Sequence, residues 1–153
     1  DAGDNSVAIT VDIDGDTRPI APSTVVDIGA DEYTPFANDI QVVSVISPTN
    51  GTCGDSSSAV TVVIYNQGTS PQSNFDVQVD VTGTATSTLS TTYVGPIAPQ
   101  AFDTVTVGTL NTYAGGTFSL FAQNLLTTDQ YAMNDTLTLS IDVLAVPAPP
   151  VAL

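Results

Sequence analysis

Between Ser58 and Thr82 the chain reads SAVTVVIYNQGTSPQSNFDVQVDVT, and its second half alternates strictly. Phe75, Val77, Val79 and Val81 fall on one side, with Asp76, Gln78, Asp80 and Thr82 on the other. A period of two with one apolar side is the pattern of a strand that has one face on a core and one in water. The first half, Ala59–Tyr65, is a second apolar run, and Asn66-Gln67-Gly68-Thr69-Ser70-Pro71 between them is built of turn formers. The segment therefore predicts a hairpin-like strand pair at the centre of a sheet.

The same pattern recurs along the chain. Strands are expected at Ile40–Ile46, Ala59–Tyr65, Phe75–Val81, Leu89–Val94, Asp103–Val107, Thr117–Ala122 and Thr136–Val143. Turn signals separate them: Ser47-Pro48-Thr49-Asn50-Gly51, Gly95-Pro96, Ala98-Pro99, Gly115-Gly116 and the polar run Thr127–Asn134. Seven short strands in about a hundred residues are the expectation for an all-β, immunoglobulin-like sandwich. In two places the period fails. The phase slips at Val42-Val43, and Phe118, Leu120 and Phe121 cannot all share one face, so bulges or doubly buried positions are expected at both.

The chain divides into three parts on these grounds: residues 1–38, a main domain over 39–143, and a Pro-rich linker or tail over 144–153, LAVPAPPVAL. In the first part, Val7, Ile9, Val11 and Ile13 alternate with polar residues, and a second short segment follows at 25–33. Two short strands cannot bury a core alone, so this segment is expected to lean on a neighbour.

Charge narrows the function classes. The chain carries 15 Asp, one Glu (Glu32), a single Arg18, and no Lys or His, for a formal charge of −15. Nucleic acid and anionic membranes need a cationic surface, so neither is an expected partner, and no membrane insertion is foreseen. Without imidazole or lysine there is no general base of those types and no Schiff-base chemistry. The Asp residues fall in turns or on the polar side of strands, where no carboxylate dyad with a raised pKa is expected, and Ser56-Ser57-Ser58 has no partner base. The sequence therefore reads as a protein that is not an enzyme. Divalent cations, uncharged glycans or basic surfaces are the partners that suit its charge.

Three sets of residues invite chemistry. Asp12, Asp14, Asp16, Asp27 and Asp31 are candidate calcium ligands, because D-x-D-G-D sets carboxylates at alternate positions around a tight turn. The spacing is not that of an EF-hand, Asp and Gly also form turns unaided, and Arg18 can pair with one of the acids. Cys53, the only cysteine, excludes an intrachain disulfide; it is either a half-buried loop residue or an intermolecular thiol. Asp103-Thr104-Val105 and Asp135-Thr136-Leu137 make Thr104 and Thr136 candidate sites of bacterial O-glycosylation, resembling the D-[ST]-aliphatic pattern of the Bacteroidetes lineage. Asn50-Gly51-Thr52 and Asn134-Asp135-Thr136 fit the N-glycosylation sequon, which is discounted in a bacterial chain. The tyrosines at 33, 65, 93, 113 and 131 are scattered and read as core or rim packing.

Two resemblances add to this. DIDGDTRP (12–19) followed by VDIGADEY (26–33) resembles the closing segment of right-handed parallel β-helix domains of secreted bacterial proteins. Over the main domain, V-x-V-x-I-x-N-x-G (60–68), F-x-V-x-V-x-V (75–81), I-A-P-Q-A-F-D-T-V-T-V (97–107), G-G-T-F-S-L (115–120) and D-x-x-x-x-N-D (129–135) follow in an order similar to CARDB, a class of bacterial Ig-like domains named for cell adhesion. That resemblance implies an extracellular structural or adhesion module of a bacterial cell-surface or filament-forming protein, a spacer whose edge or terminal strands meet neighbouring modules or identical subunits. It also implies an ion site before the last strand, kept here only as Asp129, Asn134 and Asp135. The alternative expectation is a carbohydrate- or calcium-binding accessory module of a larger secreted enzyme. The start at Asp1 without Met, and no signal peptide or membrane span, read as a piece of something longer.

Overall fold

The computed structural model describes Val11 and residues 35–148, and all that follows concerns those residues. The chain forms two compact units, Asp1–Pro35 and Phe36–Leu153. The second contains seven strands: β1 (Ile40–Ser47), β2 (Ser58–Asn66), β3 (Phe75–Gly83), β4 (Ser87–Tyr93), β5 (Phe102–Leu110), β6 (Gly116–Asn124) and β7 (Thr136–Val143). Among the described residues there is no helix. Each expected strand is present, and most run one to three residues longer than the apolar pattern alone marks.

The strands make two antiparallel sheets, β1-β2-β5 and β4-β3-β6-β7. Alternation explains the core. Val60, Val62 and Ile64 of β2, Phe75, Val77, Val79 and Val81 of β3, and Phe118, Leu120 and Ala122 of β6 turn inward and are buried. They meet Ile40, Val42, Val45, Val105, Val107, Ile141 and Val143 in one cluster between the sheets. This is the face-to-face packing of an Ig-like sandwich, and its fold class is the expected one.

One expectation fails. β2 and β3 are not a hairpin: β2 pairs with β1 and β5, whereas β3 pairs with β4 and β6. The turn-rich segment after Asn66 therefore carries the chain across the sandwich from one sheet to the other. A period of two tells which side of a strand is buried, and both strands satisfy it equally well from opposite sides of one core.

The two phase conflicts resolve differently. In β1 the register shifts between Val42 and Ser44 and again between Val45 and Ser47, so Val43 and Ile46 are bulged residues. The first is the slip foreseen at Val42-Val43. β6 has no bulge, and its register runs unbroken against both neighbours. Phe118 and Leu120 point inward, and Phe121 is simply turned to the outside at 37% exposure.

The free flanks of the sandwich are closed by polar contacts. On the β4–β5 side the Tyr93 hydroxyl donates to Asp103 Oδ2 at 2.7 Å. Burial, then that carboxylate's hydrogen bond and charge, push the Tyr93 hydroxyl up to about 12. On the other side Val42 N donates to Asn134 O at 3.0 Å, and the β1–β2 connection lies along the end of β7. There Gly51 N reaches Asp142 O and Gly54 N reaches Leu144 O, each at 2.7 Å. Gly115 explains part of the G-G-T-F motif: its φ is +67°, and a Cβ there would stand 2.4 Å from Ala145 N.

Candidate functional site

Three connections converge at one end of the sandwich: Gln67–Asn74 after β2, Val94–Ala101 after β4, and Leu125–Asp135 after β6. Asn66 explains why the first of them holds its shape. Its side chain is fully buried, Nδ2 donates to Ser70 O at 2.9 Å and Ile97 O at 3.0 Å, and Oδ1 accepts from Gly68 N at 3.0 Å. One amide thus adds a partner to one donor and two acceptors of the crossing chain, alongside the bonds that Gly68 N makes to Asp39 O and that Gln72 makes to Ser70 O and Ile97 O. Gly68 is needed because Ala37 O and Asp39 N press against it, and a Cβ would come within 2.5 Å and 2.9 Å of them. That is the physical content of the N-x-G motif.

The segment Phe36–Asp39 is clamped between two of these loops. Thr69 N donates to Phe36 O, Ser70 N to Ala37 O, and Gln67 N and Gly68 N to Asp39 O. From the other side Gln130 Oε1 accepts from Ala37 N and Asn38 N, both at 2.9 Å. Phe36 stacks on Tyr131 with ring centroids 5.7 Å apart.

Three carboxylates gather here. Asp129 accepts from Ile40 N at 2.8 Å through Oδ2 and from Tyr131 N at 2.9 Å through Oδ1. Asp135 Oδ1 accepts from Asn124 Nδ2 at 2.8 Å, and Asp39 Oδ1 accepts from Asn134 Nδ2 at 2.8 Å. Burial pushes the Asp39 carboxyl up, its Asn134 bond pulls it down, and the Asp129 charge adds to the rise. Asp135 is raised in the same way: burial first, opposed by Asn124, then the charges of Asp129 and Asp39 and a hydrogen bond that its protonated form donates to Asp129. Among the described residues no group of three or more acidic or thiol side chains is placed to hold a metal ion. The observed donors to these carboxylates are neutral amides, and what they do is fasten loop to strand.

These shifts set a pH dependence. A carboxyl whose folded pKa lies above its unfolded 3.8 binds more protons in the fold, so its contribution is full below 3.8 and is lost as pH rises through the raised value. The melting temperature should therefore climb as the pH is lowered from 7 into the carboxylate range, and Asp39→Asn with Asp135→Asn should flatten that climb. A melting temperature that falls steadily on acidification, or an unchanged slope in the double variant, contradicts this.

The sequence-predicted residues fall in separate places. Thr104 is exposed in mid-β5 and Thr136 is exposed at the start of β7. Cys53 is exposed rather than half-buried, and its backbone bridges to Leu144. Asp12, Asp14, Asp16, Asp27 and Asp31, and the β-helix-like segment that holds them, lie outside the described residues. Asp129, Asn134 and Asp135 do come together, joined by Asp39. Period-two reading puts Asp39 on the water side of Ile40, yet it is only 2% exposed. Tyr65 and Phe102 also meet, paired across β2 and β5 with centroids 4.4 Å apart. Phe102 remains 63% exposed, so this pair is neither core nor ordinary rim packing.

The comparisons agree with this architecture. Residues 37–124, more than half of the chain, match the CARDB family. The chain belongs to the CARDB family. In this CARDB domain the matched span runs from the clamped Ala37 to the buried Asn124 and holds two of the three connections at the loop-bearing end, those after β2 and β4. A solution NMR structure of residues 272–376 of a Methanosarcina acetivorans protein, provisionally named a cell surface protein, is similar to it. The likeness has a TM-score of 0.52 at 20% identity and covers 71% of this chain and 94% of that one, which establishes the shared fold. A search of curated proteins returned no match.

Proposed function

We propose that this CARDB domain is a non-catalytic structural module of a bacterial cell-surface protein, working as a spacer and as a surface for contact with like modules. The observation that supports this most directly is the use made of its polar groups. At the loop-bearing end, where Ig-like sandwiches usually carry ligand sites, Asn66, Asn124, Asp39, Asp129 and Asp135 are engaged in tying loops to strands. The family, and the cell-surface name carried by the similar Methanosarcina domain, support an extracellular setting. The segment 7–33, with its likeness to a β-helix end, fits the same reading as an appended piece of a longer surface protein.

A second reading, glycan binding, is favoured by one observation: the exposed Phe102 ring backed by Tyr65. The surface reading is tested by protease shaving of intact cells that express the native parent protein. Peptides of this domain should be released from intact cells; their release only after lysis would overturn the assignment.

A further inference from the structure

The first and last strands of the sandwich run the same way. β1 leaves the loop-bearing end at Ile40, β7 leaves it at Thr136, and both finish at the opposite end. The chain therefore enters the sandwich through the clamped Phe36–Asp39 and leaves it through Leu144–Val146 at the far end. The eight residues of β7 alone set these points about 25 Å apart.

At the far end the loop after β1 lies along the end of β7 as a short parallel ladder. Gly51 N donates to Asp142 O and Gly54 N to Leu144 O, each at 2.7 Å, and Leu144 N donates to Thr52 O at 2.8 Å. Cys53 and Leu144 form the parallel bridge between them. The fourth rung is made by a side chain. Asp142 N donates to Asn50 Oδ1 at 2.7 Å, so Asn50 stands in for a main-chain carbonyl. Just beyond, Val146 N donates to Tyr113 O at 3.1 Å. At the entry end, Ile40 N on Asp129, Val42 N on Asn134 O and Asn134 Nδ2 on Asp39 tie β1 to the residues that lead into β7.

This geometry decides how the domain meets tension. A pull on Phe36 draws β1 and the loop behind it toward one end, while a pull on Val146 draws β7 toward the other. The paired segments are parallel, so the pull runs along them and across their hydrogen bonds. All four rungs are loaded together, and the β1–β2 and β6–β7 ladders are loaded with them. Had the chain entered and left at one end, the same bonds would open one after another, each with the strength of a single hydrogen bond. With one cysteine in the chain, no intrachain disulfide can share the load.

We propose that this domain is a load-bearing link, and that Asn50–Gly54 laid along Asp142–Leu144 is the clamp that keeps it folded under tension between its two ends. The inference rests on the spacer reading and adds what the spacer resists.

Constant-force magnetic tweezers on the full 153-residue chain test it, because forced unfolding is governed by the unfolding rate and not by equilibrium stability. The chain is held either by its two termini or by the exposed Cys53 thiol and the C terminus. In the second geometry both points pull at one end, and the ladder peels. At equal force the sandwich should then unfold about a hundredfold faster or more, as expected when four hydrogen bonds resist singly instead of together. Held by the termini, Asn50→Ala and Leu144→Pro each delete one rung through an exposed residue, and each should raise the unfolding rate about fivefold. Thr88→Ala deletes an exposed hydrogen bond to Asp80, away from the first and last strands, and should stay within about twofold. Urea unfolding puts the three variants on one stability scale, so a lost clamp is told apart from a general loss of stability. Equal rates in the two pulling geometries overturn the clamp. So do ladder variants that unfold at the wild-type rate, or a Thr88→Ala effect as large as theirs at matched stability. Each of these results leaves the cell-surface reading standing, since protease shaving tests that separately.

Discussion

Replacing Asn66 by Asp should cost about 3–5 kcal/mol in urea unfolding, most of the stability of a domain this size. Asn66 is fully buried, and its Nδ2 points at two carbonyl oxygens, Ser70 O and Ile97 O. A carboxylate there would place negative charge against those oxygens with no donor on that side and no water to replace it. Asn66→Ala should cost less, about 2–3 kcal/mol, because it removes three buried hydrogen bonds without burying a charge, while Gly68 N keeps Asp39 O and the two carbonyls keep Gln72. The order of the two variants is the informative part. If Asp were tolerated as well as Ala, or either cost under about 1 kcal/mol, the amide would not be the link that carries the chain between sheets.

The second large effect separates two phenylalanines three positions apart. Phe118 is 1% exposed and packs in the core between the sheets, whereas Phe121 stands on the outer face of the same strand. Phe118→Ala should lose about 3–5 kcal/mol through the cavity it opens. Phe121→Ala should stay within about 1 kcal/mol of wild type. Equal losses at the two sites would mean that β6 is bulged or turned over, contrary to its unbroken register with β3 and β7.

These two variants also show what was readable in the chain beforehand. The strands were readable because alternation is written locally: Val77, Val79 and Val81, or Leu137, Leu139 and Ile141, mark a buried side without reference to any partner. Pairing was not. Asn66 and Gly68 stood out as turn formers, and that chemistry fits a tight hairpin as well as a crossing loop. The difference lies in Ile97, Ala37 and Asp39, which meet the loop only after folding. Phe118, Leu120 and Phe121 were ambiguous for a related reason, since an outward aromatic breaks the pattern just as a bulge would.

The candidate site was less visible still. Asp129, Asn134 and Asp135 were marked by their spacing, but Asp39 joins them from the far end of the domain, and its position beside Ile40 predicted exposure. The exposed aromatic pair was hidden more completely. Tyr65 and Phe102 come from different strands and become neighbours through the β2–β5 register. The tyrosines alone looked scattered because the partner of one of them is a phenylalanine. What composition did give was half of a contrast: a chain of −15 charge in which one whole sheet is nearly free of it.

That contrast leads to the salt dependence of self-association, measured by sedimentation equilibrium at 50 mM and 1 M NaCl. The net charges of two copies repel, so screening should tighten a contact between like modules as salt rises. A dimer that loosens with salt would place the contact on charged groups and contradict the account.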